Sequence, residues 1–385
     1  MTDFNDEILK NFDLSGETYE SKFSDLFDDT MVDLNQVVDD LNLHNHVRWF
    51  DLKSLLNCHT KENLFYLANF IGFTEDLGRL NSVKKSQVLD KIYGFLKATL
   101  EARILALSKE DFYIFYEFAR TRESLILNTK DGKHPYLLSK LLPKLIQLGL
   151  VYVKVFYDEL RVYIPDEVML ILRDYKEIKR KNSPLLSQIS YMKTYVNAAA
   201  NLYGVVEPHV FISWVKGKVA VVPPFESQHE IDDWLITLIS ISALSEKHYY
   251  FAPAEFSSNK FANVAEAAMY DFVLSERPEI EPYMPSESEI KRFAISTFDK
   301  NSFIYKRFTK ALKKYAVDYQ TILELLLAEM VKGTPIFQVL GVLNDEDLLV
   351  FESEEDIETF AATVVDLSND TRKWENFGHK PSEIV

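Results

Sequence analysis

Cysteine is almost missing from this chain: Cys58 stands alone among 385 residues. No disulfide can form within one chain, which fits a reducing compartment and predicts a cytoplasmic setting. Glycine is scarce too, at 11 residues, and neither G-x-G-x-x-G nor G-x-x-x-x-G-K-[ST] occurs, so loops that cradle a nucleotide's phosphates have no support. H-E-x-x-H, C-x-x-C and G-x-S-x-G are absent as well, which leaves zincin and hydrolase-elbow chemistry without a foothold. The acidic start lacks the basic-then-apolar pattern of a secretion signal. Uncharged runs such as 194–206 fall well short of the ~20 residues a membrane-spanning helix needs. No repeat recurs at a period of about 20 to 50 residues. The expectation is a protein with no cofactor, no metal, no membrane span and no nominated catalytic residue.

What is present is an ordinary globular composition, 47% hydrophobic and 26% charged, with enough apolar material for two to three domains. The net charge of −16 is unevenly placed. Residues 1–40 hold twelve acids against Lys10 and Lys22, so −10 lies there and −6 on the other 345 residues. Within that arm Phe4, Ile8, Leu9, Phe12, Phe23, Leu26 and Phe27 recur at helical spacing, which favours docked amphipathic helices over a loose arm. By contrast 79–103 carries Arg79, Lys84, Lys85, Lys91, Lys97 and Arg103 against Asp90 and Glu101. A globally acidic chain is a poor general binder of nucleic acid, but a local basic module is compatible with it.

The clearest local pattern runs from Pro135 to Glu167. After Gly149, Val151, Val153 and Val155 alternate with Tyr152, Lys154 and Phe156; then Leu160, Val162 and Ile164 alternate with Arg161 and Tyr163. This period of two predicts a hairpin around Tyr157-Asp158-Glu159, stopped by Pro165. Upstream, Leu138, Leu141, Leu142, Leu145 and Leu148 share a helical face that Gly149 would end. A proline inside a helix costs roughly 3 kcal/mol, so Pro143 is expected in the first turn of a short second helix. Helix, turn, helix and wing is the layout of a winged-helix domain. Its short recognition helix would present Lys140 and Lys144, either to nucleic acid or, in a structural version of the fold, to nothing but protein.

Residues 49–104 open with Leu52, Leu55 and Leu56. Thr60-x-x-Asn63 then precedes a helix carrying Leu64, Leu67, Ala68 and Ile71, and Lys84-Lys85 introduces a second with Val88, Leu89, Ile92 and Leu96. The pattern LLNCHTKENLFYLANFIGF…LNSVKKSQVLDKI resembles the helix–loop–helix unit of SAP domains and of the Rho-factor N-terminal domain. That resemblance implies nucleic-acid binding, with Lys84, Lys85 and Lys91 on a phosphate-facing surface; without it they are a solvated helix start. Leu107 to Leu127 reads as one further helix, 168–181 as another, and 228–246 as an amphipathic helix on Ile231, Trp234, Leu235, Leu238 and Ile239. A short strand is expected at Lys218–Val222, helices near 302–315 and 317–332, and an acidic stretch at 344–358.

The last residues, Asn369-Asp370-Thr371-Arg372-Lys373-Trp374-Glu375-Asn376-Phe377-Gly378-His379-Lys380-Pro381-Ser382-Glu383, resemble a tail of the form N-x-T-R-x-W-x-x-x-G-H-x-P-x-E in uncharacterised Gram-positive bacterial and phage proteins. In that group a cysteine-rich zinc knuckle, like the one at the SecA C-terminus, often follows; no such knuckle occurs here. The residues themselves predict a docked helical tail, with Trp374 inward, Arg372 paired to an acid, Gly378 ending the helix and Pro381 starting the next segment. His379 is expected to be structural rather than catalytic.

Two constellations carry little weight. His44-x-His46 with Cys58-His59 has zinc-ligand residue types, but its spacing matches no known site. Pro165-Asp166 with Glu177-x-Lys179 has the letters of a metal-dependent nuclease, which needs carboxylates on adjoining strands; here the segment is apolar-periodic and helical. The expected class is mainly α (α+β): an acidic arm or docked helices (1–45), a SAP/Rho-N-like helical unit (46–106), a winged-helix-like domain (107–183), a mostly helical C-terminal domain (184–368) and a docked tail (369–385). Asn182-Ser183-Pro184 is the expected domain boundary. The expected role is non-enzymatic binding of nucleic acid or a nucleic-acid-associated protein. The alternatives are an acidic module for a basic protein partner, and an enzyme whose residues the sequence does not nominate.

Overall fold

The structure is a computed structural model that describes residues 41–73, 77–120, 125–128, 141–156, 159–206, 214–215, 228–246, 249–251, 261–263, 280–316, 318–335, 338, 340 and 349–384. The acidic arm up to residue 40, Lys140 and the strand expected at Lys218–Val222 lie outside the described residues.

The first helices form where capping side chains meet apolar spacing. α1 (Leu52–Asn57) starts at Asp51, whose carboxylate accepts the Ser54 N–H at 2.9 Å. α2 (Lys61–Phe70) starts at Thr60, whose hydroxyl accepts the Asn63 N–H at 3.1 Å. α3 (Lys85–Leu105) is the long strut of this half and buries Val88, Leu89, Ile92, Leu96 and Leu100. Near its end Arg103 is fully buried yet satisfied. It donates to Thr99 Oγ1 at 2.8 Å, to the Ile71 carbonyl at 2.9 Å and to the Leu148 carbonyl at 3.2 Å, bolting three segments together.

One helix over Leu107–Leu127 does not form. α4 (Lys109–Arg120) is followed by a strand, β1 (Leu125–Asn128). An apolar run as short as Leu125-Ile126-Leu127 has no period of its own, and here strand pairing decides it. α5 (Leu142–Gln147) begins with Pro143 in its first turn, where the missing N–H costs nothing. The hairpin follows as β2 (Tyr152–Phe156) and β3 (Glu159–Tyr163), antiparallel with Val153 opposite Val162 and Val155 opposite Leu160. β1 adds on the far side, giving the order β1-β3-β2. The outer edge of β2 is closed by the Leu43 N–H to the Val153 carbonyl and by Asn42 Oδ1, which accepts the Val155 N–H, both at 3.0 Å. The chain is thus mainly helical, with a winged-helix-like hairpin set among helical modules.

The helix expected over 168–181 is two, α6 (Asp166–Arg173) and α7 (Tyr175–Lys181), broken at Asp174. α8 (Ser183–Tyr203) then runs through the middle of the molecule, burying Ile189, Met192, Tyr195, Val196, Ala199, Leu202 and Tyr203. α9 (Gln228–Ser245) packs along it and buries Ile241, Ala243 and Leu244 beyond the expected face, so it is wrapped rather than amphipathic. Short strands β4 (Val205–Val206), β5 (Tyr249–Phe251) and β6 (Phe261–Asn263) make a second sheet in the order β4-β6-β5. α10 (Glu287–Phe293) closes this part against α8.

The boundary expected at Asn182-Ser183-Pro184 does not separate two cores. Apolar residues from Leu41 to Phe293 form one continuous cluster across it, and the Asn182 amide donates to Glu101 of α3 at 2.8 Å. A second cluster begins only at Phe298. It is built from α11 (Phe303–Tyr315), α12 (Tyr319–Lys332) and α13 (Glu354–Asp370), on Phe308, Leu312, Leu326, Met330, Phe360, Val364 and Trp374.

Candidate functional site

Two places gather the residues that the sequence singles out. The first is the surface where α3 begins. Lys84 sits at its N-cap position with the backbone N–H donating to Gln87 Oε1 at 3.0 Å, and no acid occupies the first turn. Lys84 and Lys91 are exposed, seven residues apart on one helix face. Lys85 lies lower and donates to the last α1 carbonyl region at Asn57, at 2.7 Å. This surface continues into the wing. The His44 and Asn45 N–H groups both donate to the Cys58 carbonyl, at 3.1 and 3.2 Å. Lys154 of β2 reaches across to the carbonyls of Asn45 at 2.8 Å and His44 at 3.4 Å. Beyond it the Lys154 ammonium and the Arg161 guanidinium stand over the Phe156 ring, at 5.2 and 4.4 Å from its centroid.

Lys144 is not part of this surface. It is buried, and its ammonium pairs with the equally buried Asp111 of α4 at 2.8 Å. A lysine spent on an interior carboxylate has no charge to offer a phosphate, so its expected place on an exposed recognition helix is corrected. Nor do the histidine and cysteine residues converge as a metal centre. The Cys58 thiol donates toward Ser54 O at 3.4 Å, His44 Nε2 meets the Asn63 amide at 3.3 Å, and His59 turns inward onto the Tyr152 ring. Among the described residues no group of three or more His, Cys, Asp or Glu is arranged to hold a metal ion.

The second place is the tail. Thr371 to Lys373 are irregular and Trp374 to Gly378 are turns, rather than the expected helix, but Trp374 and Arg372 are both buried. The Trp374 N–H donates to the Val331 carbonyl of α12 at 2.9 Å, while its indole Nε1–H donates to the Asn201 carbonyl of α8 at 3.1 Å. One residue therefore bonds to both cores. Its ring lies against Gly204, which ends α8 at φ +67°; a Cβ there would run into the indole. Arg372 donates to Glu383 at 2.9 Å and to the Gly378 carbonyl at 3.1 Å, stands 3.5 Å from Glu289, and has its guanidinium carbon over the Tyr283 ring, 3.3 Å from the centroid.

Electrostatics there balance internally. Burial alone would raise Glu289, but the Ser286 N–H and hydroxyl, the Tyr283 hydroxyl and Arg372 hold it below the usual carboxylate range. Glu383 behaves alike through the Lys380 N–H and Arg372. Burial, with the Glu289 bond, pushes the Tyr283 phenol up to about 12. His379 has Nε2 3.0 Å from the Glu281 carbonyl and Nδ1 3.5 Å from Glu383, so both ring nitrogens face protein oxygens. Pro381 opens the closing 3-10 turn, Pro381–Glu383. The adjoining cavity, about 120 Å³, is lined by charges already committed: Arg372, Glu289, Asp370 to Lys380 and Asp299 to Arg292. Its charged side chains pair with one another and hold the tail to both cores.

No family model, curated protein or solved structure matches this chain.

The sequence reading missed Lys154, Arg161 and Phe156 as a group, although the strand alternation already set Lys154 and Phe156 on the face opposite the valines. Arg103, counted in the basic stretch 79–103, and His59, named beside Cys58, are both buried, which takes Arg103 out of any basic surface; that burial carries no signal short of the fold, since the residues that cover each are distant in sequence. No described helix is long and apolar enough to cross a membrane.

Proposed function

We propose that this chain is a non-enzymatic, cytoplasmic protein of bacterial or phage type that binds nucleic acid, or a nucleic-acid-associated protein, through the surface joining α3 to the wing. One observation carries the reading: Lys84, Lys85 and Lys91 gather at the N-terminal end of α3 with no acid in its first turn. The helix dipole makes that end the worst place for cations and a good place for an anion, and Lys154 extends the positive surface along the wing. The resemblances to SAP and Rho N-terminal units and to the Gram-positive bacterial and phage group are part of the same reading.

The test is binding of labelled single- and double-stranded DNA and RNA oligonucleotides by fluorescence anisotropy at several salt concentrations. Affinity should fall steeply with salt, and Lys84→Glu/Lys85→Glu/Lys91→Glu should weaken it and flatten the salt slope by about 0.7 to 0.9 per lost phosphate contact. An oligonucleotide affinity that ignores both salt and the triple substitution removes the reading. A second reading, contact with a basic protein partner, is favoured by one surface: Glu352, Glu354, Glu355 and Glu358 are all exposed at the start of α13. Neutralising those four should then abolish binding of a lysine-rich peptide, and unchanged binding disposes of it.

A further inference from the structure

α11 carries five bases, Lys306, Arg307, Lys310, Lys313 and Lys314, and no acid. Two are committed to α13: Arg307 pairs with Asp366, and Lys314 with Asp356. At 3.6 residues per turn, Phe303, Lys306, Lys310 and Lys313 follow one another along a single stripe, opposite the buried Phe308, Leu312 and Tyr315. All four are exposed, Phe303 to 77%. The acids that α13 turns towards α11, Asp356 and Asp366, engage its flank through Lys314 and Arg307, not this stripe. Lys313 lies over the Tyr319 ring, 4.7 Å from its centroid.

The fold gives little reason for this stripe. Like charges three and four residues apart repel along a helix. The dipole favours cations only in the last turn, which accounts for Lys313 and Lys314 but not for Lys306 and Lys310. An aromatic ring left in water at the head of the stripe adds nothing to the core. Lysines alone would suit any polyanion. An exposed aromatic in line with them suits one whose apolar faces are open to stacking, as the bases of a single strand are and those of a duplex are not.

We propose that α11 is a track for single-stranded nucleic acid, with Lys306, Lys310 and Lys313 on the phosphates and Phe303 stacked on a base. This rests on reading the chain as a nucleic-acid binder, and adds a second contact surface, on the second core, with a preference for single strands.

The test titrates the full-length protein against fluorescein-labelled oligo(dT) and oligo(U) and a duplex of equal length, with poly-L-glutamate and phosphatidylserine vesicles as competitors. Single strands should bind more tightly than the duplex. Lys306→Glu/Lys310→Glu/Lys313→Glu should weaken binding at least about tenfold and flatten the log K against log salt slope by about 2, at roughly 0.7 per lost contact. Phe303→Ala should weaken binding several-fold and leave the slope unchanged. Unaltered melting by circular dichroism checks that these exposed substitutions leave the fold intact. Wild-type affinity and slope in the α11 triple variant would overturn the track, as would poly-glutamate or vesicles outcompeting the oligonucleotide for it. If the α3 variant loses binding and the α11 variant keeps it, the track fails and the α3 surface stands. The reverse pattern keeps the track and discards α3, and no binding by the wild type discards both.

Discussion

His59 is 1% exposed, and neither ring nitrogen has a hydrogen-bond partner. Burial, aided by nearby His44 and Lys85, pulls its pKa from 6.5 down to about 3. The folded protein therefore refuses a proton that the unfolded chain accepts. Above pH 6.5 neither state carries it; between 6.5 and 3 the unfolded state binds more protons, so stability falls as pH falls. At about 1.4 kcal/mol per unit, roughly 2 kcal/mol should be lost by pH 5. His59→Phe, placed against Tyr152, removes that term. Urea denaturation at pH 7 and pH 5 should show the wild type losing about 2 kcal/mol more than the variant, and equal losses would clear His59 of any part in acid sensitivity. Lys144 allows a second test. Lys144→Met removes the ammonium paired with Asp111, itself 1% exposed, and should cost about 3–5 kcal/mol, whereas Lys144→Met/Asp111→Leu should recover most of it. No recovery in the double variant would show that packing, not charge, sets the cost. The burial of Lys144 was not legible: Lys144 and Gln147 stand three apart on one side of α5, the pattern of an outward polar face, and only the packing of Asp111 of α4 against Lys144 turns that side inward.

At the scale of elements, the wing, the caps of α1 and α2 and the proline at the start of α5 follow from local pattern, because strand alternation, capping side chains and proline geometry act over a few residues. β1 and the non-helical tail do not, because each is decided by a partner distant in the chain: β3 for β1, and the two cores for the tail; the break at Asp174 is local, its carboxylate turned back onto the neighbouring Arg173, and the apolar period runs through it unmarked. The residues of the tail were legible, its conformation was not. Trp374 and Arg372 are where their chemistry demands, while Trp374–Gly378 turn because two bonds pull Trp374 towards Val331 and Asn201 at once. The tail's fit depends on α8 ending in a residue without a side chain. Gly204→Ala sets a left-handed φ of +67° against a Cβ and drives that Cβ into the indole. The backbone alone accounts for about 1–2 kcal/mol, and displacing the ring adds the loss of a buried aromatic, about 3–5 kcal/mol at the limit of Trp374→Ala. Gly204→Ala should thus shift tryptophan emission to the red and lower the melting temperature. A variant with native emission and native melting would mean that the indole has room the structure denies it.

At the scale of the whole molecule, the expected division at 182–184 fails for a physical reason. Polar, proline-bearing residues mark a linker only when the apolar faces on either side are already covered, and those of α3 and α5 are covered by α8 and α9. A fragment ending at residue 183 therefore exposes that face and should not melt cooperatively. The real seam lies between Phe293 and Phe298, where one cluster ends and the other begins. Across it the tail is the main clamp, through Trp374 to Asn201 and Val331 and through Arg372 to Glu289. Among the described residues the second core is small, built mainly from α11, α12 and α13, and a core of that size is marginal alone. Of the four tryptophans Trp49 is already exposed, so the emission change on melting comes from Trp214 and Trp234 in the first core and Trp374 in the second. Full-length protein should lose helical circular dichroism and native fluorescence in one step. Truncation after Asp370 removes the clamp together with Trp374. Helix signal from α11–α13 should then disappear at a lower temperature, ahead of the fluorescence of Trp214 and Trp234, which tracks the first core. Coincident transitions in the truncated chain would mean that the helices hold the two cores together without the tail, and the clamp would be an ornament on a fold already joined.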